Sequence, residues 1–399
     1  MSAALEGLRV LDLTNASGHY CGKMFRDLGA DVILVESPTG GAARLQPPFL
    51  EDRVDLEFSL PFSYYNAGKR SVCLDLEVEG DRDHLRNIVR HVDVVLESAV
   101  PGEMAALGLG YEALSELNPK IVMTSITPFG QTGPYASYAG DDIIALALGG
   151  MLYLGGYYDS PPVAVHGNQA WLAASQFAAV ATMMAVYDVK SNGASGRHID
   201  VSTQECVVMG MENAVQFYDL ENVVRRREAG RQRWAGIGVF DCADGQVYLM
   251  AGGIVPSQMR EANVRWMIEG GIEEAKVLLE PEWASEDFQT TPEAKETFAR
   301  LFGAFAKTRT KAELYAEGQA RRIPICPVST PKDIMENRQM VSRGLFTPLA
   351  HKASGRTLQA PGAPYVLSAT PWSGGASAPL LGEHTRNVLE ELSAEGASA

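Results

Sequence analysis

Positive charge is what this chain has little of. Its 34 lysines and arginines stand against 49 aspartates and glutamates, a formal net charge of −15 over 399 residues. Phosphate backbones are held by basic surfaces, so this balance argues against nucleic acid as a partner and makes any anion pocket depend on a few local cations. Cysteine is scarce and scattered. Cys21, Cys73, Cys206, Cys242 and Cys326 form no CxxC pair and show no Cys/His spacing that suits zinc, so neither a disulfide framework nor a metal site is expected, and they read as small buried hydrophobes. No apolar run approaches the ~18 residues that cross a bilayer, and no charged segment leads into an apolar stretch at the N-terminus. Membrane insertion and export are therefore not expected, and the cytoplasm is the expected location. The segment TNASGHYCG (Thr14 to Gly22) lacks the GxGxxG that lets backbone approach a pyrophosphate, and GGMLYLGG (Gly149 to Gly156) lacks GK[ST]. A nicotinamide cofactor and a P-loop are both disfavoured.

What is present reads as an α/β protein. With 46% hydrophobic residues the chain is long enough for a large core or two lobes. Apolar β-type runs recur at Leu8–Leu13, Asp31–Glu36, Ser71–Leu76, Val92–Ser98 and Ile121–Ile126, separated by amphipathic segments such as DRDHLRNIVRHV, a pattern that predicts a parallel sheet flanked by helices. Small and apolar residues run almost unbroken over Ala173–Val189, predicting a helix buried on most faces. GVFDCADGQVYL predicts a hairpin, Pro256–Ala320 reads as helical and charged, and GEHTRNVLEEL predicts a short C-terminal helix with a loose end from Ser393. The expected organisation is a Rossmann-like large lobe over residues 1–225, a smaller α+β lobe over 226–325, and a return to the large lobe with the C-terminal helix over 326–399. The basic run Arg225–Arg233 (RRREAGRQR) suits either a solvated helix face or acidic-partner contact, or a seat for an anionic acyl group or phosphate.

The segments LEGLRVLDLT, LGADVILVE, GKRSVCLDL, VDVVLES with PGEMAALGLGYEALSELNPKIV, TPFGQTGPY, HIDVSTQE, GVFDCADGQVYL, IPICPV and LLGEHTRNVL, in this order and spacing, resemble the class III CoA-transferases over nearly the whole chain. The resemblance implies a two-lobed α/β fold with protomers interlocked as a dimer, and a CoA thioester as substrate without metal or nicotinamide. In active members an aspartate attacks the acyl-CoA thioester, forming a mixed anhydride and then an aspartyl-CoA thioester. Here Trp171 stands in its place, and no Asp or Glu lies between Ser160 and Tyr187, so no slip of alignment supplies a carboxylate.

The positions that the resemblance places beside CoA are Asn15, Ala16, Ser17, Lys69, Arg70, Leu74 and Ser98. Several expected cations are replaced: Ala106 stands in MAALGLG, and Ser37 and Pro38 follow DVILVE. Each charge-assisted phosphate contact is worth ~1.5–3 kcal/mol, so losing two or three weakens CoA binding in this chain by several orders of magnitude. Asp141, in AGDDII, occupies the place of a racemase histidine; Asp141 and Asp142 together also suit the opening of a helix. The resemblance thus implies a subunit without its own nucleophile, joined to an Asp-bearing paralogue in an interlocked hetero-oligomer. The two-subunit branch that acts between succinyl-CoA and (R)-benzylsuccinate is the expected type. Two alternatives stay open: an active homodimeric transferase or acyl-CoA isomerase or racemase using another residue, and a non-enzymatic binding or regulatory homologue.

Overall fold

A computed structural model of the chain describes residues 3–230, 232–253 and 257–398. They form two compact units, Met1–Leu152 with Val165–Gln216 and Arg338–Ala399, and Tyr153–Ala164 with Phe217–Asn337.

The first unit is built on six parallel strands, β1 (Arg9–Leu13), β2 (Asp31–Glu36), β3 (Arg70–Cys73), β4 (Val94–Glu97), β5 (Val122–Thr127) and β6 (Arg197–Ser202). Their order is β3-β2-β1-β4-β5-β6, the doubly wound arrangement. Alternation along each strand divides the apolar side chains between two faces. Val10, Val32, Val94 and Val122 pack with the helix His19–Asp27 and the long helix Gln169–Asn192. Leu11, Ile33, Val95 and Met123 pack on the other side with Ile88, Leu114, Val388 and Leu392. Burial on both faces explains why these strands read as near-continuous apolar runs.

The long helix corrects two expectations. It is long and apolar enough to cross a bilayer by length and composition. Nor is it buried on most faces: Ala170, Ala174, Ala178, Thr182, Ala185 and Val189 form the buried stripe, while Phe177, Val180, Met184 and Tyr187 face outward. The small residues let the helix approach the sheet closely, which leaves the large side chains on the other face, Met184 68% and Tyr187 66% exposed. The C-terminal helix also differs, running from Thr385 to Ser398 without a loose end at Ser393. Val388 and Leu392 anchor it in the core, and Arg9 holds Glu391 (3.4 Å) and Glu395 (3.0 Å). A hairpin of β10 (Phe346–His351) and β11 (Arg356–Pro361) completes this unit.

The second unit carries the predicted hairpin, β7 (Ile237–Cys242) with β8 (Gly245–Met250), and β9 (Ile325–Pro327) adds to β8. Its core gathers Trp266, Phe298, Phe302 and Phe305, with Trp266 edge-on to Phe305 at 4.8 Å. The unit's limits differ from the expected 226–325. The β8–β9 pairing and the Lys311–Asp333 ion pair (2.5 Å) keep the chain in this unit to Asn337, so IPICPV is not yet the return to the large lobe. The helical stretch expected from Pro256 is seen from Ser257, Pro256 itself lying outside the described residues.

The basic run around Arg227 is not a helix face. Arg227 donates to the carbonyls of Ser160 (2.8 Å) and Tyr153 (3.2 Å), Arg225 lies over the Phe217 ring at 3.5 Å and Arg233 over Trp234 at 4.5 Å, while Arg231 lies outside the described residues. All five cysteines are free; Cys21, Cys206 and Cys242 are buried as expected, but Cys73 is half-buried and Cys326 exposed on the short strand β9.

Candidate functional site

Where the strand order of a doubly wound sheet reverses, the loops beyond the carboxyl ends diverge and leave a crevice. Here that point lies between β1 and β4. A cavity of about 260 Å³ opens there, lined by the loops after β1, β4 and β5 and by the start of the long helix, all within the first unit. Asn15 and Ser17 come from the first loop, Ser98 and Pro101 from the second, Pro128 and Tyr138 from the third. Trp171 contributes from the helix, and Asp141 and Thr203 complete the polar lining.

The first loop is fixed from below by a buried polar network. Lys69 Nζ donates to Asp12 Oδ2 at 2.7 Å and to the His19 carbonyl at 3.0 Å, and both side chains of the Lys69–Asp12 pair are fully buried. The other Asp12 oxygen accepts from Thr14 N (3.0 Å) and Thr14 Oγ1 (2.6 Å), turning the chain as it leaves β1. His19 Nε2 lies 3.0 Å from the Thr14 carbonyl, which only accepts. Its Nδ1 lies 3.0 Å from Asn66 Nδ2, which is oriented by its own bond to the Phe62 carbonyl. Those neighbours select the neutral imidazole with its proton on Nε2. Burial, with Lys69 nearby, accordingly pulls the His19 pKa down from 6.5 to about 3.

Above this base the loop spends its polar groups on itself. Asn15 Oδ1 accepts from Ser17 N (2.9 Å) and Ser17 Oγ (2.7 Å), and Asn15 N donates to Ser98 Oγ (2.7 Å), tying the first loop to the second. No lysine, arginine or histidine is among the described residues that line the cavity, whose one charged group is Asp141.

The two aspartates of AGDDII divide their work. Asp141 caps the helix Asp142–Leu148, its Oδ1 accepting from Asp142 N at 2.7 Å. Asp142 does not serve its own helix end but reaches the N-terminus of the long helix, accepting from Trp171 N at 3.0 Å and also bonding Ala170 N–H. Burial raises the Asp142 carboxyl above the usual range, a shift that these two N–H donors oppose. Asp142→Ala is expected to lower stability by about 1–2 kcal/mol, the worth of a lost helix cap, with Asp142→Asn intermediate. Denaturant unfolding checks this, and a change within 0.3 kcal/mol, on the order of the scatter between independent surface sites, would remove the capping role.

Of the positions singled out from the sequence, Asn15, Ser17, Ser98, Asp141 and Trp171 meet at the cavity. Ala16 turns away, packing beside Leu34 and Phe62. Leu74 is buried in the core with Val72 and Leu85. Lys69 is enclosed with Asp12, and Arg70 is held by Asp31 (2.8 Å) and Glu391 (2.8 Å), and neither lines this cavity. Arg44, the first basic residue after β2, is spent on Glu36 at 2.8 and 2.9 Å and Glu57 at 2.8 Å. Tyr138 and Asp142 were not singled out as site residues. The PYASY and AGDDII segments carry them, but only the fold brings them beside Trp171. Among the described residues no group of three or more His, Cys, Asp or Glu could hold a metal ion.

Comparison with known proteins agrees with this architecture. Residues 5–385 match the family model of CoA-transferase family III. The chain is 40% identical, over 98% of its length and 95% of the relative's, to the succinyl-CoA:(R)-benzylsuccinate CoA-transferase subunit BbsE of Thauera aromatica. It is 30% identical, over 97% and 96%, to the succinyl-CoA:mesaconate CoA-transferase of Haloarcula hispanica. The crystal structure of a CAIB/BAIF family protein from Brucella suis superposes with a TM-score of 0.86 at 27% identity, covering 98% of this chain and all of that one. With the doubly wound sheet, the crevice at its switch point and a match across nearly the whole length, the chain belongs to CoA-transferase family III.

Proposed function

We propose that this chain is the non-nucleophilic subunit of a cytoplasmic two-subunit CoA-transferase, moving CoA from succinyl-CoA to an aromatic dicarboxylic acid of the (R)-benzylsuccinate type, with a paralogous partner bringing the aspartate. Trp171 at the mouth of the long helix carries this reading. Transfer through an anhydride needs a carboxylate oxygen that attacks the thioester carbonyl, releases the CoA thiolate and then accepts its return. An indole has no such oxygen, and the helix offers no other before Asp188.

Two observations support the partner. The relative from Thauera is itself named a subunit. The outward face of the long helix forms an apolar groove with Met24, Leu28 and Tyr365, in which Val180, Met184 and Tyr187 are exposed, a face suited to a protein partner. Interlocked protomers would cover it.

Asp141 favours a second reading, because its carboxylate lines the same cavity. There the nucleophile has moved and the chain acts alone. Intact-mass spectrometry after incubation with succinyl-CoA separates the two. The subunit reading expects the chain alone to keep its unmodified mass and the partner to carry a hydroxylamine-sensitive adduct in the complex. An adduct mapped to Asp141 would establish the second reading instead.

A further inference from the structure

The cavity beside Trp171 has the chemistry of a seat for a neutral ring rather than for an anion. Its only charged lining group among the described residues is the Asp141 carboxylate, with no cation to offset it. A phosphate or carboxylate placed there would give up water for a like charge. Two of the lining hydroxyls are already used as donors, Ser17 Oγ to Asn15 Oδ1 (2.7 Å) and Thr203 Oγ1 to the Thr127 carbonyl (3.1 Å), and the polar groups that remain are uncharged.

What remains is apolar and aromatic. Val100, Pro101, Ile126 and Pro128 form walls, and the rings of Trp171 and Tyr138 lie among the lining groups. Tyr138 is stacked on Tyr135 (centroids 5.2 Å apart, planes at 28°), and Tyr135 meets the edge of Phe129 at 6.0 Å, so the wall ring is braced by two more. The volume of about 260 Å³ exceeds the roughly 150 Å³ cavity that suffices to bind benzene.

We infer that this cavity is an aryl-binding subsite: it receives the uncharged aromatic ring of an arylalkyl acid or its thioester, leaving the charged end outside. The inference rests on the proposed aromatic substrate class for its biological ligand, but the binding itself requires only this chain. Trp171 then has a positive role, giving the cavity a flat surface on which a ring stacks.

The full-length chain is titrated by ligand-observed NMR with benzyl alcohol, cyclohexylmethanol, succinate and CoA. Benzyl alcohol is expected to bind saturably and about fivefold more tightly than cyclohexylmethanol, the ratio that ring stacking provides. Neither succinate nor CoA should displace it. Ala139→Trp, a change at an exposed loop position that lines the cavity, should fill the space and weaken benzyl alcohol at least tenfold without altering the unfolding midpoint. Trp171→Leu should bring the aryl preference to about one. Absence of saturable binding, unaltered binding in Ala139→Trp, or displacement by CoA or succinate would each overturn the inference. The partner requirement is read separately, from transferase activity of the complex: activity there with no aryl binding here defeats this inference alone, and aryl binding here without a partner-dependent activity defeats the proposed function alone.

Discussion

On the proposed subunit reading, an Asp→Ala change at the nucleophile position of a paralogous partner should lower CoA-transferase activity of the co-expressed complex by at least about 10³-fold, because the covalent route would then have no second carboxylate to use. Adding Trp171→Asp to this chain should not recover the lost activity. The new carboxylate would stand in a cavity lined by the Asp141 carboxylate and by no cation among the described residues. Steady-state rates of the doubly changed complex decide the matter. Recovery beyond a few per cent would show that this chain retains a working CoA site, and a comparable loss on Asp141→Ala would place the nucleophile here.

The second large effect lies beneath the site. Lys69→Met should destabilise the chain by about 3–5 kcal/mol, since it leaves the Asp12 carboxylate buried without its cation. That is a large part of the 5–15 kcal/mol, roughly, that holds a domain together. Pairing it with Asp12→Asn should restore a good part of the loss, as expected when the penalty comes from the orphaned charge. Equilibrium unfolding of the single and double variants is the measurement, and equal losses in both would point to packing instead.

The same network sets a pH dependence. His19 stays neutral in the fold, with its pKa near 3 against 6.5 when free, so between those values the unfolded chain binds a proton that the folded chain refuses. Stability from this group is complete above about pH 6.5 and declines as pH falls toward 3. The Asp12 carboxyl, depressed by Lys69 against the opposing effect of its burial, adds a loss of the same sign at lower pH. From pH 7.5 to pH 5, the His19 part amounts to about 2 kcal/mol. His19→Gln should flatten the profile by that amount, and an unchanged slope would mean that His19 is not held neutral.

Much of the fold was legible because one physical pattern repeats. Strands sealed on both faces are apolar throughout, so LRVLDL, DVILVE and VDVVLES stand out within a chain that alternates them with helices, and these three runs match β1, β2 and β4 to within two residues. The hairpin of β7 and β8 was equally plain, because the two-residue turn writes itself locally in CADG. The site was only half legible. Trp171, Asn15, Ser17 and Ser98 could be chosen by resemblance, and they do share a cavity. Lys69, Arg70 and Leu74 were chosen by the same route, yet their side chains are enclosed in ion pairs or core.

The sequence by itself determined the family, the alternation of strands and helices along the first lobe and the lack of a carboxylate where the long helix begins, because each of these is a matter of residue type, motif order and local period. Only the tertiary structure decided what the charged residues do. Whether Lys69 meets a ligand or Asp12, whether Asp142 caps its own helix or the next, and which face of the long helix turns outward depend on groups separated by tens of residues in the chain. A charge is satisfied by whatever the fold brings within about 3 Å of it, and that distance is set by packing rather than by neighbours in sequence.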